Sequence, residues 1–531
     1  MLVRSAAGLL LLLAPGLLRA QEEGAPDPRT EKKRLEELWA EYQDLARNQD
    51  VRQRRRRREI ARELAEVRHE EACKHLQAIL DQDADIRARI NAMVSIGSVG
   101  DLAAVKRMVA TVQRESRTVL ASYVGDALAR SPAPQVGPWL VEKLLPSPVD
   151  EIQLGCVEAL GVLGTQEARE PLLALLGRAL KRARPDMALV FEIHLALGRI
   201  GGPGADALLR AAAASADWRL RLASADMLLR QGSAPEILEA MRALFRDEEP
   251  IVREAAAIAS GARKAEALFP ELTLLLREGN LRAKEKAYGA LRAISGQDFR
   301  YAPEVWEKWW RDKETGRLTE EGKLAEGESI SVASFFDFKI LSDRVLFIVD
   351  VSGSMAWPEY HPNRIETARK ELFKAIRSLD EKTYFNVMTF AGAPMIWRKK
   401  GEVAATPKNV ADALSWSEGQ LLPRGGTNTH DTLMQAFEDN PLVDTIYFLS
   451  DGMPSTGRTI VPEEILAKVR HLNRFRRVII HCIALVMGRP AIEKADKYED
   501  PDEMADFMRA LAEQNGGGCV DIRKPKPLGS D

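Results

Sequence analysis

Five side chains in the last third of this chain of 531 residues are of the types, and at the spacings, that could do chemistry together. Asp350, Ser352 and Ser354 follow the apolar run Val345 to Val349, Thr427 sits in Gly425-Gly426-Thr427-Asn428, and Asp451 closes a second apolar stretch, Thr445 to Ser450. Two carboxylates and three hydroxyls are hard oxygen donors, a set that suits Mg²⁺, Mn²⁺ or Ca²⁺ and not soft metals. In Asp-x-Ser-x-Ser, alternate spacing lets a loop turn three oxygens toward one point, and Gly353 lets the backbone bend there. Taken alone, that first loop reads equally well as a capping cluster for the helix that follows.

The elements that must position these groups are legible as alternation. An unbroken apolar run with β-branched members is the mark of a strand buried on both faces, in the middle of a parallel sheet. Strands are predicted over 345–350, 384–390, 395–397, 445–450, 478–485 and 519–522, with helices over 364–379, 408–417, 429–437, 462–472 and 503–514. That is a doubly wound α/β sheet, whose ligands gather at the carboxyl ends of the strands. The tips carrying Asp350 and Asp451 should lie side by side, with the Thr427 loop next to them, and Asp350 is expected at the surface.

In order and without substitution, these five residues closely resemble the metal-ion-dependent adhesion site of the von Willebrand factor type A family. The resemblance covers about the last 200 residues. It implies a Rossmann-like domain, a divalent cation (Mg²⁺ first) held by Asp350, Ser352, Ser354, Thr427 and Asp451, and aspartates acting largely through bound water. It also implies an open coordination position for an acidic residue of a protein partner. Trp357, Tyr360, His361 and Arg424 are expected on the rim. Cys482 and Cys519 fall on strands that this fold makes neighbours, and all four cysteines are expected as free thiols.

Enzymatic readings find less support. Ser352 lacks a Gly-x-Ser-x-Gly elbow, no histidine pattern completes a triad, and neither Gly-x-Gly-x-x-Gly nor a P-loop is present. A non-enzyme is therefore expected. With 76 Lys plus Arg against 78 Asp plus Glu, the chain has no overall field to attract nucleic acid.

The rest of the chain carries the domain. Residues 1–20 have a basic start at Arg4, an apolar core from Leu9 to Leu13 and a cleavable end at Ala20, so a signal peptide is expected there, with the protein in a periplasm or outside the cell. The runner-up is an uncleaved anchor; no other segment is apolar enough to span a membrane. Residues 21–80 form a charged lead segment, a linker and then long helix, whose arginine run Arg54 to Arg58 is expected to be a salt-bridge-laced surface rather than a docking patch. From 81 to 296, Ala- and Leu-rich helical units recur, at Asp85–Ala92, Trp218–Ala225, Pro250–Ala257 and Asn280–Ala287. These resemble HEAT or armadillo repeats, an all-α solenoid, with alanines letting the two helices of one repeat approach. Residues 297–330 supply a Trp-rich cap and a linker, and 331–531 the type A domain.

Overall fold

The computed structural model describes residues 27–48, 51–67, 69, 71–115, 119–317, 333–336, 338–356, 363–486 and 501–523. They form two compact units, divided between Ala243 and Leu244.

The first unit is helical. Its lead segment is three helices, Pro28–Asn48, Val51–Glu66 and Ala72–Gln82, where one long helix was expected. The arginine run does not lie wholly on the surface either. Arg57 is buried against Asp83 at 3.1 Å, and Arg58 meets Asp85 at 2.5 Å, while Arg56 reaches Glu41 and Glu63 across the outer face. Consecutive helical residues point around the axis, so one run serves both the solvated face and the seam with the next helices.

Every repeat unit picked out above is the same element of its repeat: a helix capped by Asp or Asn where such a residue is present, as at Asp85, Asp217 and Asn280. The small residues act between repeats rather than within one. A Cβ on Gly97 would overlap the Ala127 carbonyl, one on Gly125 would come within 2.8 Å of Gly155, and one on Gly161 within 2.7 Å of Ala196. These pairs are spaced by about one repeat, so glycine and alanine bring equivalent helices of successive repeats into backbone contact.

The second unit begins with the same device, Gly261 against Ala290, and continues into the α/β domain. Helix Pro303–Glu314 ends the helical part: Trp306 and Trp309 are buried, and Trp310 stacks on Phe269 with centroids 4.4 Å apart, so the tryptophans face the preceding helices as a capping helix requires. The domain's sheet contains β1 (Arg344–Asp350), β2 (Tyr384–Phe390), β3 (Pro394–Ile396), β4 (Val403–Ala404), β5 (Thr445–Ser450), β6 (Ile479–Ala484) and β7 (Cys519–Asp521). Their order is β3-β2-β1-β5-β6-β7, with β4 also on β2; β3 and β4 pair antiparallel and the rest parallel. Helices α1 (Arg364–Arg377), α2 (Pro407–Gln420), α3 (Thr429–Asp439), α4 (Pro462–Arg476) and α5 (Pro501–Gln514) cover it.

Alternation along β1 sends Leu346 and Ile348 into one core and Val345, Phe347 and Val349 into the other, so the strand is buried on both faces as its composition requires. Beyond the expected elements, β4 and a short hairpin at Ser334–Phe335 and Phe338–Lys339 are added; each strand has only two residues, below what periodicity can reveal.

Candidate functional site

Parallel pairing of β1 with β5 puts Asp350 and Ser450 at neighbouring strand tips, and Asp451 in the turn that follows. The first loop then folds over that end: Ser352 N donates to Asp350 Oδ1 at 2.7 Å, and Gly353 N donates to the Gly425 carbonyl at 3.0 Å. That second bond ties the Asp-x-Ser-x-Ser loop to the glycine loop. Asn428 caps α3 by accepting from Asp431 N, and its own amide donates to the Ala391 carbonyl, which fixes the position of Thr427.

The oxygens converge. Ser352 Oγ and Ser354 Oγ lie 3.1 Å apart, and both donate to Asp451 Oδ1, at 3.3 and 2.8 Å. Thr427 Oγ1 stands beside the turn after Asp451, where a Cβ on Gly452 would come within 3.5 Å of it. All five residues singled out from the sequence are thus at one end of the sheet. Among the described residues no three His, Cys, Asp or Glu side chains cluster as a metal site, so whatever binds here binds to a hydroxyl-rich set.

Depth is the main correction. Asp350 is fully buried, the Asp451 side chain is 0% exposed, and Ser352 and Thr427 are buried, leaving Ser354 half-buried beside exposed Gly353 and Gly425. Asp350 is therefore not a surface ligand: its Oδ2 accepts from Ser450 Oγ at 2.6 Å and its Oδ1 from Ser352 N, so an alanine there would remove the acceptor of two donors, of which Ser450 Oγ keeps the Gly452 carbonyl at 3.2 Å. Burial, and then the nearby charge of Asp451, push the Asp350 carboxyl up to about 7. Burial likewise raises Asp451, against the opposing pull of Arg364. Two buried acids that destabilise each other's charge, ringed by neutral hydroxyls, fit a divalent cation on the chemistry of the donor set.

Two residues were missed by sequence reasoning. Ser450 was placed only as the end of a strand and Arg364 only as the start of a helix; yet Arg364 Nη1 donates to Asp451 Oδ2 at 2.7 Å with its side chain only 9% exposed. A signal existed, since a cation in the first turn of a helix opposes the macrodipole and calls for another reason. Of the expected rim, Arg424 is exposed, whereas Trp357, Tyr360 and His361 lie outside the described residues.

Comparison with known proteins finds a family match over this part of the chain. The model of the von Willebrand factor type A domain matches residues 343–518. Inter-alpha-trypsin inhibitor heavy chain 4 of Mus musculus is 29% identical over 130 residues, 22% of this chain and 13% of that protein. Heavy chain H4 of Sus scrofa is 31% identical over 138 residues, 24% of this chain and 14% of that one, so the chain spans about a seventh of these relatives' length. Among solved structures, a von Willebrand factor type A protein from Catenulispora acidiphila is 21% identical with a TM-score of 0.27, covering 35% of this chain and 39% of its own. Human deoxyhypusine hydroxylase, solved with glycerol, is 18% identical with a TM-score of 0.23, covering 51% of this chain and 100% of its own. The matched segment coincides with the sheet that carries the five oxygens, and residues 343–518 are a von Willebrand factor type A domain in a chain whose preceding part is helical.

Proposed function

We propose that the protein is an exported, non-enzymatic module that binds a protein partner through a divalent cation, Mg²⁺ first and Mn²⁺ or Ca²⁺ as alternatives. The single observation that carries this reading is the convergence of Ser352, Ser354 and Asp451 oxygens within 2.8–3.3 Å at the tip of two adjacent strands. Ser352, Ser354 and Thr427 would ligate directly, and Asp350 and Asp451 through water. The position left open, toward exposed Gly353 and Gly425, would accept an Asp or Glu of the partner. The type A domain match supports the coarser statement, a protein-interaction module. Export rests on residues 1–20, which lie outside the described residues; among those described, no helix is long and apolar enough to cross a membrane.

A second reading is favoured by the burial of Asp350 and Asp451: the cation only stiffens the loops, and the helical repeats hold the partner as a scaffold. Affinity capture with Mg²⁺ and with chelator, on the full chain and on Thr427→Ala, separates the two. Partners that leave on chelation and fail to bind Thr427→Ala support the cation bridge. Partners held equally by all four samples support the scaffold and defeat the bridge.

A further inference from the structure

Arg364 stands where local helix electrostatics disfavour it. It opens α1, where the positive end of the helix disfavours a cation, and it is buried, which costs more. The helix end does not need it, because Asn363 and Glu366 form a complete capping box there. Its guanidinium is instead committed to Asp451 Oδ2, while Asp451 Oδ1 faces Ser352 and Ser354. One carboxylate is thereby divided, with one oxygen for a resident cation and the other for the hydroxyl cluster.

The consequence is a matter of charge. Ionised, as a bound cation would hold them, Asp350 and Asp451 together carry two negative charges, which a divalent cation would cancel, leaving a neutral site with no electrostatic demand for anything more. With Arg364 in place the three side chains sum to one negative charge, and a divalent cation turns the site one positive. In a buried setting an uncancelled positive charge is costly, and one carboxylate brought in from outside removes it.

We propose that Arg364 is the built-in counter-ion that makes this site demand a partner's carboxylate: it weakens cation binding in the free protein and strengthens capture of an acid once the cation is bound. This rests on the cation-bridged reading above. Arg364 is a positioning and specificity-determining residue here, acting through Asp451 and the net charge.

The two halves of the proposal have opposite signs, and that makes it testable without knowing the partner. Mn²⁺ is titrated calorimetrically into the full chain, and acetate into the Mn²⁺-loaded chain with water-proton relaxation as readout. Arg364→Gln and Arg364→Met should each bind Mn²⁺ at least about tenfold tighter than wild type and bind acetate at least about tenfold more weakly. Arg364→Lys, which keeps the charge, should stay near wild type in both, separating charge from packing. Charge-removing variants that bind Mn²⁺ no tighter, or acetate no more weakly, overturn the proposal while leaving the cation reading intact. Failure of wild type and variants alike to take up Mn²⁺ overturns the cation reading, and the proposal with it.

Discussion

The two ends of the type A sheet bury charge in opposite ways. At the amino end, Arg282 of the helix Leu281–Ser295 pairs with Glu254 at 2.7 Å, both side chains no more than 5% exposed. Arg282 also donates to the carbonyls of Asp444 and Arg477, and the Asp343 carboxylate accepts from Leu281 N at 2.6 Å. Acid and base are matched there, and the last repeat is bonded to the foot of the sheet. At the carboxyl end one arginine pairs with only one of two buried acids, and the rest of the site is neutral hydroxyls. Matched buried charge fixes a junction; unmatched buried charge marks a site that something else must complete.

The sharpest way to break that comparison is at the amino end. Arg282→Met leaves Glu254 buried without a partner and should cost about 3–5 kcal/mol in urea unfolding, whereas Arg282→Met with Glu254→Leu should recover most of it. A single-variant loss under about 1 kcal/mol would mean that the pair is solvated and the junction loose.

At the carboxyl end the sign should reverse. Asp350→Asn keeps an acceptor for Ser352 N but removes one of two mutually repelling charges, so in chelator it should raise stability by about 1–2 kcal/mol while abolishing Mg²⁺ uptake. A destabilised variant in chelator would show that the site is already balanced.

How much of this was legible differs along the same lines. The oxygen set was readable because the chemistry needs particular residue types in fixed order, and β2 and β5 were placed to the residue because their apolar runs end abruptly at Tyr384 and Ser450. The counter-charges were not readable. Arg364 lies 87 positions from Asp451, and Arg282 lies 162 from Asp444; single-sequence periodicity carries no information at that range. Depth was missed for the same reason, since burial of Asp350 is a property of the loops folded over it. In the repeats, the small residues were visible but their partners were not: that Gly161 meets Ala196 in the next repeat is a tertiary fact.

A pH-dependent effect, absent at neutral pH, sharpens the amino end. His481 on β6 stacks on Tyr447 with centroids 5.1 Å apart, and burial, then the charge of Lys286, lower its pKa to about 4. Unfolded, it titrates near its ordinary value of about 6.5. The unfolded chain therefore binds the extra proton first, and stability should be lost as pH falls from about 6.5 to about 4, by up to about 3 kcal/mol. His481→Gln should flatten that limb of the stability–pH curve. An unchanged slope would assign the acid sensitivity to the carboxylates instead.

The smallest expected effect asks whether a covalent tie holds the sheet's far edge. Cys482 on β6 and Cys519 on β7 are direct neighbours in the parallel register, close enough in backbone terms for a bridge, yet both are free, as are Cys73 and Cys156. Burial, then proximity to Cys519, hold the Cys482 thiol well above its ordinary value, and burial pushes Cys519 up to about 11. Exchange proceeds through the thiolate, which at pH 7 would be roughly one in ten thousand of Cys519, so oxidation is slow even where export permits it. Denatured without reductant, the purified chain should titrate four thiols, and reductant should leave its melting temperature unchanged. Two thiols together with a melt lowered by reductant would mean that the edge is stapled, and that part of the stability assigned here to the buried ion pair belongs to a disulfide.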